Sequence, residues 1–293
     1  MRLLSQYKKS LKHIEVEEVL DLYFYRPLAF ALVKALYPTN ITPNQLTIIS
    51  LFVGILSGIC YGFGYHSAII AGGLFYGLSI VIDCSDGQLA RLKQNGTRLG
   101  RILDGLIDYF VSLAIYIGIG IGLAPQSGYR MRWFLIGVAA LSNFIHSIAL
   151  DFYRNRFLDF VHGTKNSIGD DTQSFRQEFH RLKRRKRKFL RRAVIWLYLR
   201  YSEVQRKLTI NWDNGRDAKR FNADDYYKKN RMALRFWTFL GSTTHGTLLI
   251  VTSFLNRLDI YFLGIIVGGN IWLAIMFIVQ NRIDQRLEQE FVS

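Results

Sequence analysis

Cysteine is nearly absent. Two occur in 293 residues, Cys60 and Cys84, both in or beside apolar stretches. Two thiols build neither a disulfide framework nor a zinc site, and they read as buried or incidental. Acidic residues are also scarce, 22 against 38 Lys and Arg, which gives a formal charge of +16. No internal repeat or low-complexity tract interrupts the chain. The opening MRLLSQYKKSLKHIEVEEVLDLYF is charged throughout and has no apolar core followed by small residues, so a cleavable signal peptide is not expected. Against these absences, half of the residues are hydrophobic and 14% are aromatic. A soluble protein is rarely this apolar while carrying so much charge. The two properties coexist because they occupy different segments. A basic excess suits nucleic acid or an anionic membrane surface, and the apolar spans favour the membrane, so no nucleic acid partner is expected.

A helix needs about 20 apolar residues to cross the hydrocarbon core. Six stretches qualify, near 45–64, 67–90, 100–124, 132–152, 234–256 and 259–281. Lys and Arg fall mainly in the N-terminal segment, the link near 91–101, the segment 153–233 and the tail. Those parts are therefore expected on the cytoplasmic side, with both termini. The link 62–67 has no Lys or Arg, and Arg130 and Arg132 are a minor departure from the pattern. The expected fold class is all-α, a polytopic membrane protein with six transmembrane helices, an N-terminal interfacial helix and a long basic cytoplasmic insertion. The expected divisions are an N-terminal cytoplasmic and interfacial segment, 1–40; spans one to four, 41–152; the insertion, 153–233; and spans five and six with the tail, 234–293.

Residues 15–37 are half apolar and read as helix lying in the cytoplasmic interface. Pro43, in TPNQLT, ends the preceding structure and sets the start of the first span. Within the insertion, RLKRRKRKFLRR at 181–192 holds nine basic residues. Near anionic lipid each is worth about 1 kcal/mol, so anionic membrane lipid is the expected partner of 181–192. The following AVIWLYLRY, 193–201, has an apolar face that can enter the interface.

At 83–108 the chain reads DCSDGQLARLKQNGTRLGRILDGLID, four aspartates at the cytoplasmic edge of the second and third spans. Asp83 and Asp86 are three apart on one helix, and Asp104 and Asp108 four apart on the next, so each pair shares a face. The short link makes the helices antiparallel neighbours, and the pairs can face each other. Four carboxylates so close repel unless cations sit between them. All-oxygen ligands favour Mg²⁺ or Mn²⁺, and two such ions can hold a pyrophosphate. Gly87, Gly100 and the small Ala90 permit close approach of a ligand, and Arg91 can pair with phosphate in a bidentate manner. The spacing alone also admits interfacial acids salt-bridged to Arg91, Arg98 and Arg101.

The run fits D-x-x-D-G-x-x-A-R-x8-G-x-x-x-D-x-x-x-D at every fixed position, and this resembles the signature of the CDP-alcohol phosphatidyltransferase family. At ordinary residue frequencies the chance of such a run is on the order of 10⁻⁸. TPNQLT at 42–47 is similar to a further family element ahead of the first span. The resemblance implies transfer of a phosphoalcohol group from a CDP-linked donor, such as CDP-diacylglycerol, to the hydroxyl of a polar alcohol, with release of CMP. By position it makes Asp83, Asp86, Asp104 and Asp108 metal ligands, with Asp108 also the general base. It implies two Mg²⁺ or Mn²⁺ ions. Gly87, Ala90, Arg91 and Gly100 would line the cytidine diphosphate site, with Asn44 and Thr47 at the nucleotide pocket. Inositol phosphate and glycerol phosphate are acceptors within the family, and Arg98, Arg101 and Arg154 are candidates for an acceptor phosphate. A homodimer is also implied.

Other readings compete. The donor could be a CDP-linked polar alcohol, with a lipid or soluble alcohol as acceptor. A divalent-cation transporter would place its acids nearer the midplane. A non-catalytic scaffold would not need the complete acid set. His146 and His245 fall within spans and read as packed or interhelix hydrogen-bonded side chains. Gly118, Gly120 and Gly122 suggest close helix packing, because no strand precedes them to make a nucleotide loop.

Overall fold

The computed structural model describes residues 2–11, 13–123, 129–163, 168–182, 189–209, 212 and 222–292. They are almost entirely helical, and there is no strand among the described residues. Among the described residues, five helices are long and apolar enough to cross a membrane. They are α3 (Pro43–Gly62), α4 (His66–Lys93), α5 (Arg98–Leu123), α6 (Tyr129–His162) and a final run of α11 (Leu258–Leu263), a π-helical stretch (Gly264–Gly269) and α12 (Asn270–Val292). Preceding them are α1 (Arg2–Ser10) and α2 (Arg26–Leu36). Between α6 and α11 lie α7 (Ile168–Leu182), α8 (Phe189–Thr209), α9 (Ala223–Trp237) and α10 (Ser242–Phe254).

The chain divides into two compact units. One comprises residues 1–146 and 238–271, the other 147–237 and 272–293. In the first unit, α3 starts where Pro43 predicts. Thr42 caps it, with Gln45 N–H on the Thr42 hydroxyl at 3.4 Å and Thr42 N–H on Gln45 Oε1 at 2.8 Å. Helices α3 and α5 then pack backbone to backbone. A Cβ at Gly58 would lie 2.5 Å from the Ala114 carbonyl oxygen, and Gly118 and Gly122 face Gly58 and Tyr61. The glycine run therefore serves close packing, as the sequence suggests. Buried hydroxyls tie the helices together: Ser57 donates to the Gly72 carbonyl at 2.7 Å and Ser79 to that of Ser50 at 2.8 Å. Outward faces are apolar, with Phe52, Leu74, Leu113 and Phe134 all more than half exposed. Small and polar residues inside with large apolar ones outside is the arrangement lipid favours. The protein is an integral membrane protein.

The expected fifth span, 234–256, is not one helix. α9 ends at Trp237, a tight turn covers Thr238–Leu240, Gly241 is extended, and α10 begins at Ser242. The cause lies far away in the chain. Glu18 occupies the space a Cβ on Gly241 would need, and its carboxylate accepts from Thr244 N–H at 3.2 Å and from the Thr244 hydroxyl at 3.4 Å. An anion at a helix N-terminus is favourable, and here it fixes the break. At 13 residues α10 is roughly 20 Å long, short of the 30 Å core. The fourth span also differs. It runs to His162, ten residues past its expected end, because no helix breaker occurs before Gly163, whose φ is +59°.

The region 15–37 is helical from Asp21, with a π-helical turn at Asp21–Tyr25 leading into α2. One face packs on α4: Ala29 and Val33 are buried, and Gln88 donates to the Arg26 carbonyl at 3.0 Å. Tyr23, Phe24 and Leu28 point outward and are exposed. Tyr25 and Asp21 reach α10 through Thr247 and Thr243, at 3.0 and 2.9 Å.

In the second unit, Tyr153 stacks on Trp237 with centroids 4.2 Å apart, and Phe160 on Tyr226 at 4.3 Å. Arg156 meets Asp284 at 3.0 Å, both buried, and Gln280 links Asp284 to Asn230. Residues 183–188 of the basic block lie outside the described residues. α7 and α8 pair through Phe175 against Tyr198 and through Arg191 on Glu178 at 2.6 Å.

Candidate active site at the facing ends of α4 and α5

The final turns of α4 and the first turns of α5 carry the four aspartates. Asp83, Asp86 and Asp104 each offer a carboxylate oxygen within 4.8 Å of the others. Asp108 follows on the same face of α5, one turn beyond Asp104, and is exposed. Asp86 is buried, and its Oδ2 accepts a short hydrogen bond from the Thr47 hydroxyl, itself buried in the first turns of α3. Asp83 Oδ1 is buried with no hydrogen-bond partner among the described residues. A buried carboxylate oxygen without a donor is costly. Three converging carboxylates, one with an unsatisfied oxygen, fit a hard cation, because all the donors are oxygen. The cluster could hold a metal ion.

Beside the acids, Arg91 folds back over Gly87. A Cβ there would be 3.4 Å from both terminal guanidinium nitrogens. Arg91 Nε donates to the Ser10 carbonyl at the end of α1, while Nη2 is buried without a partner among the described residues. A guanidinium fixed on one edge and unsatisfied on another is poised for an anion. Gly100, in the first turn of α5, lies against Asn44: a Cβ would sit 2.8 Å from Asn44 Oδ1 and 3.0 Å from the Thr97 hydroxyl. Asn44, Thr47, Gly100, Arg91, Gly87 and the acids thus all belong to the first unit, arranged around the meeting of α3, α4 and α5.

The arginines proposed for an acceptor divide. Arg101 is exposed on α5, and the Arg98 side chain lies outside the described residues. Arg154 is in the second unit, 3.5 Å from Asp151. His146 and His245 do bond across helices, to Asn270 at 3.2 Å and Asn143 at 2.7 Å.

Some supporting residues give no sequence signal. Arg26 is buried against Glu17 at 2.7 Å. Burial is the largest single effect and works to lower its pKa, but Glu17, Cys84 and Asp21 together outweigh it and the pKa is raised. That pair anchors α2 beside the acids. Its partners are nine residues apart in an irregular segment, a spacing with no periodic meaning. The Ser10 contact to Arg91 is through backbone and so is invisible in residue type.

An all-helical membrane protein with a buried carboxylate cluster at one end of its bundle is the class these features define. Residues 40–168 match the family model described as CDP-alcohol phosphatidyltransferase, and they are a domain of that kind. The family is a class of enzymes. Among curated proteins the chain is similar to an "Archaetidylinositol phosphate synthase" of Pyrococcus horikoshii, 36% identical over 89 residues, covering 30% of this chain and 46% of that protein. It is similar to a "CDP-diacylglycerol--inositol 3-phosphatidyltransferase" of Candida albicans, 32% identical over 111 residues, 37% of this chain and 44% of that one. A "Bifunctional IPC transferase and DIPP synthase" of Thermococcus kodakarensis is 27% identical over 125 residues, 43% of this chain and 26% of that protein. The chain spans less than half the length of each of these relatives.

Proposed function

We propose that the protein transfers a phosphatidyl-type group from a CDP-linked lipid such as CDP-diacylglycerol to a hydroxyl of a polar alcohol, and that this alcohol is inositol phosphate. The observation that carries the reaction is the convergence of Asp83, Asp86 and Asp104 beside an Arg91 guanidinium with one nitrogen unsatisfied. The acceptor reading rests on the inositol phosphate in the name of the Pyrococcus relative, while the name of the Candida relative gives inositol.

In this proposal Asp83, Asp86, Asp104 and Asp108 hold Mg²⁺ or Mn²⁺, two ions in all. When bound, the ions supply positive charge for the donor's diphosphate. Thr47 keeps Asp86 oriented through its hydroxyl. Arg91 binds the diphosphate, and Gly87 and Gly100 let it and the nucleotide approach the backbone, with Ala90 and Asn44 beside them. Asp108, exposed where the others are recessed, accepts the proton of the acceptor hydroxyl. The acceptor oxygen bonds to the β-phosphorus as the bond from that phosphorus to CMP breaks, and CMP departs with the electron pair. Arg101 and Arg98 stand at the start of α5 for an acceptor phosphate, with Arg154 a further candidate.

The remaining organisation belongs to the same proposal. α10, with the turn before it, completes six spans. Both termini and the acids face the cytoplasm, and α2 lies in that interface. The domain divisions are 1–40, 41–152, 153–233 and 234–293. The basic insertion meets anionic lipid through 181–192, and α8 offers exposed Phe189, Trp196, Val204 and Leu208 beside Arg192 and Arg200. Two chains associate as a homodimer.

The test is CMP release by purified protein with Mg²⁺ and CDP-diacylglycerol, against inositol phosphate, glycerol phosphate, serine and inositol. Release only with inositol phosphate supports the proposal. Release with another acceptor refutes the acceptor and keeps the reaction. No release with any shifts the donor to a CDP-linked polar alcohol.

A further inference from the structure

A cavity of about 630 Å³ opens at the other end of the first unit. It is lined where α4 begins, where α5 ends, near the start of α6 and along α11 and the π-helical stretch. His66, in its lining, is 17 residues from Asp83 along α4, roughly 25 Å at 1.5 Å per residue. The cavity is therefore separate from the acid cluster. Its volume is in the range of about 300–1,000 Å³ that holds small ligands.

The walls are aliphatic and aromatic: Ile69, Leu135, Ile136, Phe262, Leu263 and Ile266 all contribute. Charge is confined to Arg132 and Asp259. Asp259 is already paired with Arg257 at 2.7 Å, so its charge is offset. Arg132 is held in the lining by a hydrogen bond from Nη1 to the Leu123 carbonyl. This leaves the other edge of its planar fork for a ligand, and a guanidinium suits phosphate oxygens in pairs. Arg130, two residues before Arg132, is exposed. These two arginines are the ones that depart from the charge pattern of the spans. The depth is that of a membrane surface, because Phe63 and Tyr65, beside the cavity's Gly64, are exposed aromatics of the kind that mark the interface.

We propose that this cavity binds one membrane phospholipid, with an acyl chain between α6 and α11 and the head-group phosphate on Arg132, and that it prefers an anionic head. An aliphatic chamber with one arginine at the interface matches an amphiphile and matches no wholly polar ligand. The inference depends on the membrane-spanning assignment and is independent of the reaction proposed at the acids.

The full chain would be placed in nanodiscs with a trace of phospholipid carrying a diazirine in one acyl chain. Parallel arms would use a phosphatidylglycerol probe, a phosphatidylcholine probe, and the phosphatidylglycerol probe with excess inorganic phosphate. Peptide mapping after photolysis is expected to concentrate label in 132–136 and 258–267. Leu263→Trp, a change at a residue 63% exposed, should fill the cavity and remove that label without disturbing the core. Leu135→Trp serves as a second filling variant, and a monodisperse elution profile checks both. Arg132→Gln should lower phosphatidylglycerol labelling about tenfold and erase the preference over phosphatidylcholine. Excess phosphate should change nothing. Label spread evenly over the lipid-facing helices, or unchanged in both filling variants, would overturn the proposal. Displacement by inorganic phosphate would assign a free-anion site and would overturn it too.

Discussion

Thr47→Val removes one hydroxyl and keeps the shape of the side chain. Thr47 and Asp86 are both buried, and the hydroxyl donates to Asp86 Oδ2 across the α3–α4 interface. A hydrogen bond to a charged acceptor is worth about 1.5–3 kcal/mol. Removing a partner that orients a metal-ligating carboxylate typically costs about 10–100-fold in metal affinity. The half-saturating concentration of Mn²⁺, followed by electron paramagnetic resonance of the free ion, is therefore expected to rise about 10–100-fold. CMP release at saturating metal should fall less than release at low metal. Thr47→Ser should restore most of the affinity, because the donor is back while only a methyl is lost. Identical Mn²⁺ affinity in wild type and Thr47→Val, with both folded, would refute the idea that this hydroxyl organises the acid cluster.

Other perturbations have equally definite outcomes. Asp108→Asn should cut CMP release by about 10²–10⁴ while leaving Mn²⁺ binding measurable, since Asp83, Asp86 and Asp104 are retained; abolition of Mn²⁺ binding would instead make Asp108 chiefly a ligand. Gly100→Ala puts a Cβ 2.8 Å from Asn44 Oδ1 and should weaken nucleotide binding, read as a raised KM for the CDP-linked donor. Arg156→Met strands Asp284 in the second unit and should destabilise it by about 3–5 kcal/mol in denaturant titration, with Arg156→Met/Asp284→Leu recovering much of the loss. Glu18→Gln weakens the anionic contact at the start of α10 and should lower stability by about 1 kcal/mol; no change in the thermal midpoint would contradict the part given to Glu18 in ending α9.

The legible parts of the fold were those with local causes. Helices α3, α4 and α5 fall where hydropathy and Pro43 put them, within a few residues. The break within the expected fifth span was not legible because it is made by Glu18, more than 200 residues earlier in the chain, and hydropathy sees nothing at Gly241 except a small apolar residue. The end of the fourth span was misread for the opposite reason. Polarity rises after 152, but polarity alone does not stop a helix, and Gly163 does. The acceptor arginines were chosen by nearness to a predicted surface. One of them, Arg154, lies in the second unit 3.5 Å from Asp151, and composition cannot report which carboxylate an arginine meets.

By itself the sequence determined that the protein is helical, that it lies in a membrane, and that aspartates three and four apart on successive helices share their faces. Those conclusions depend on periodicity and hydropathy, which are local properties. Only the tertiary structure decided that Thr47 holds Asp86, that Ser10 fixes one edge of Arg91, that Glu18 divides α9 from α10, and that Arg132 lines a cavity. Each is a hydrogen bond, a steric exclusion or a void between segments distant in sequence. Such interactions depend on which helix faces meet, and one residue string read in order does not contain that information.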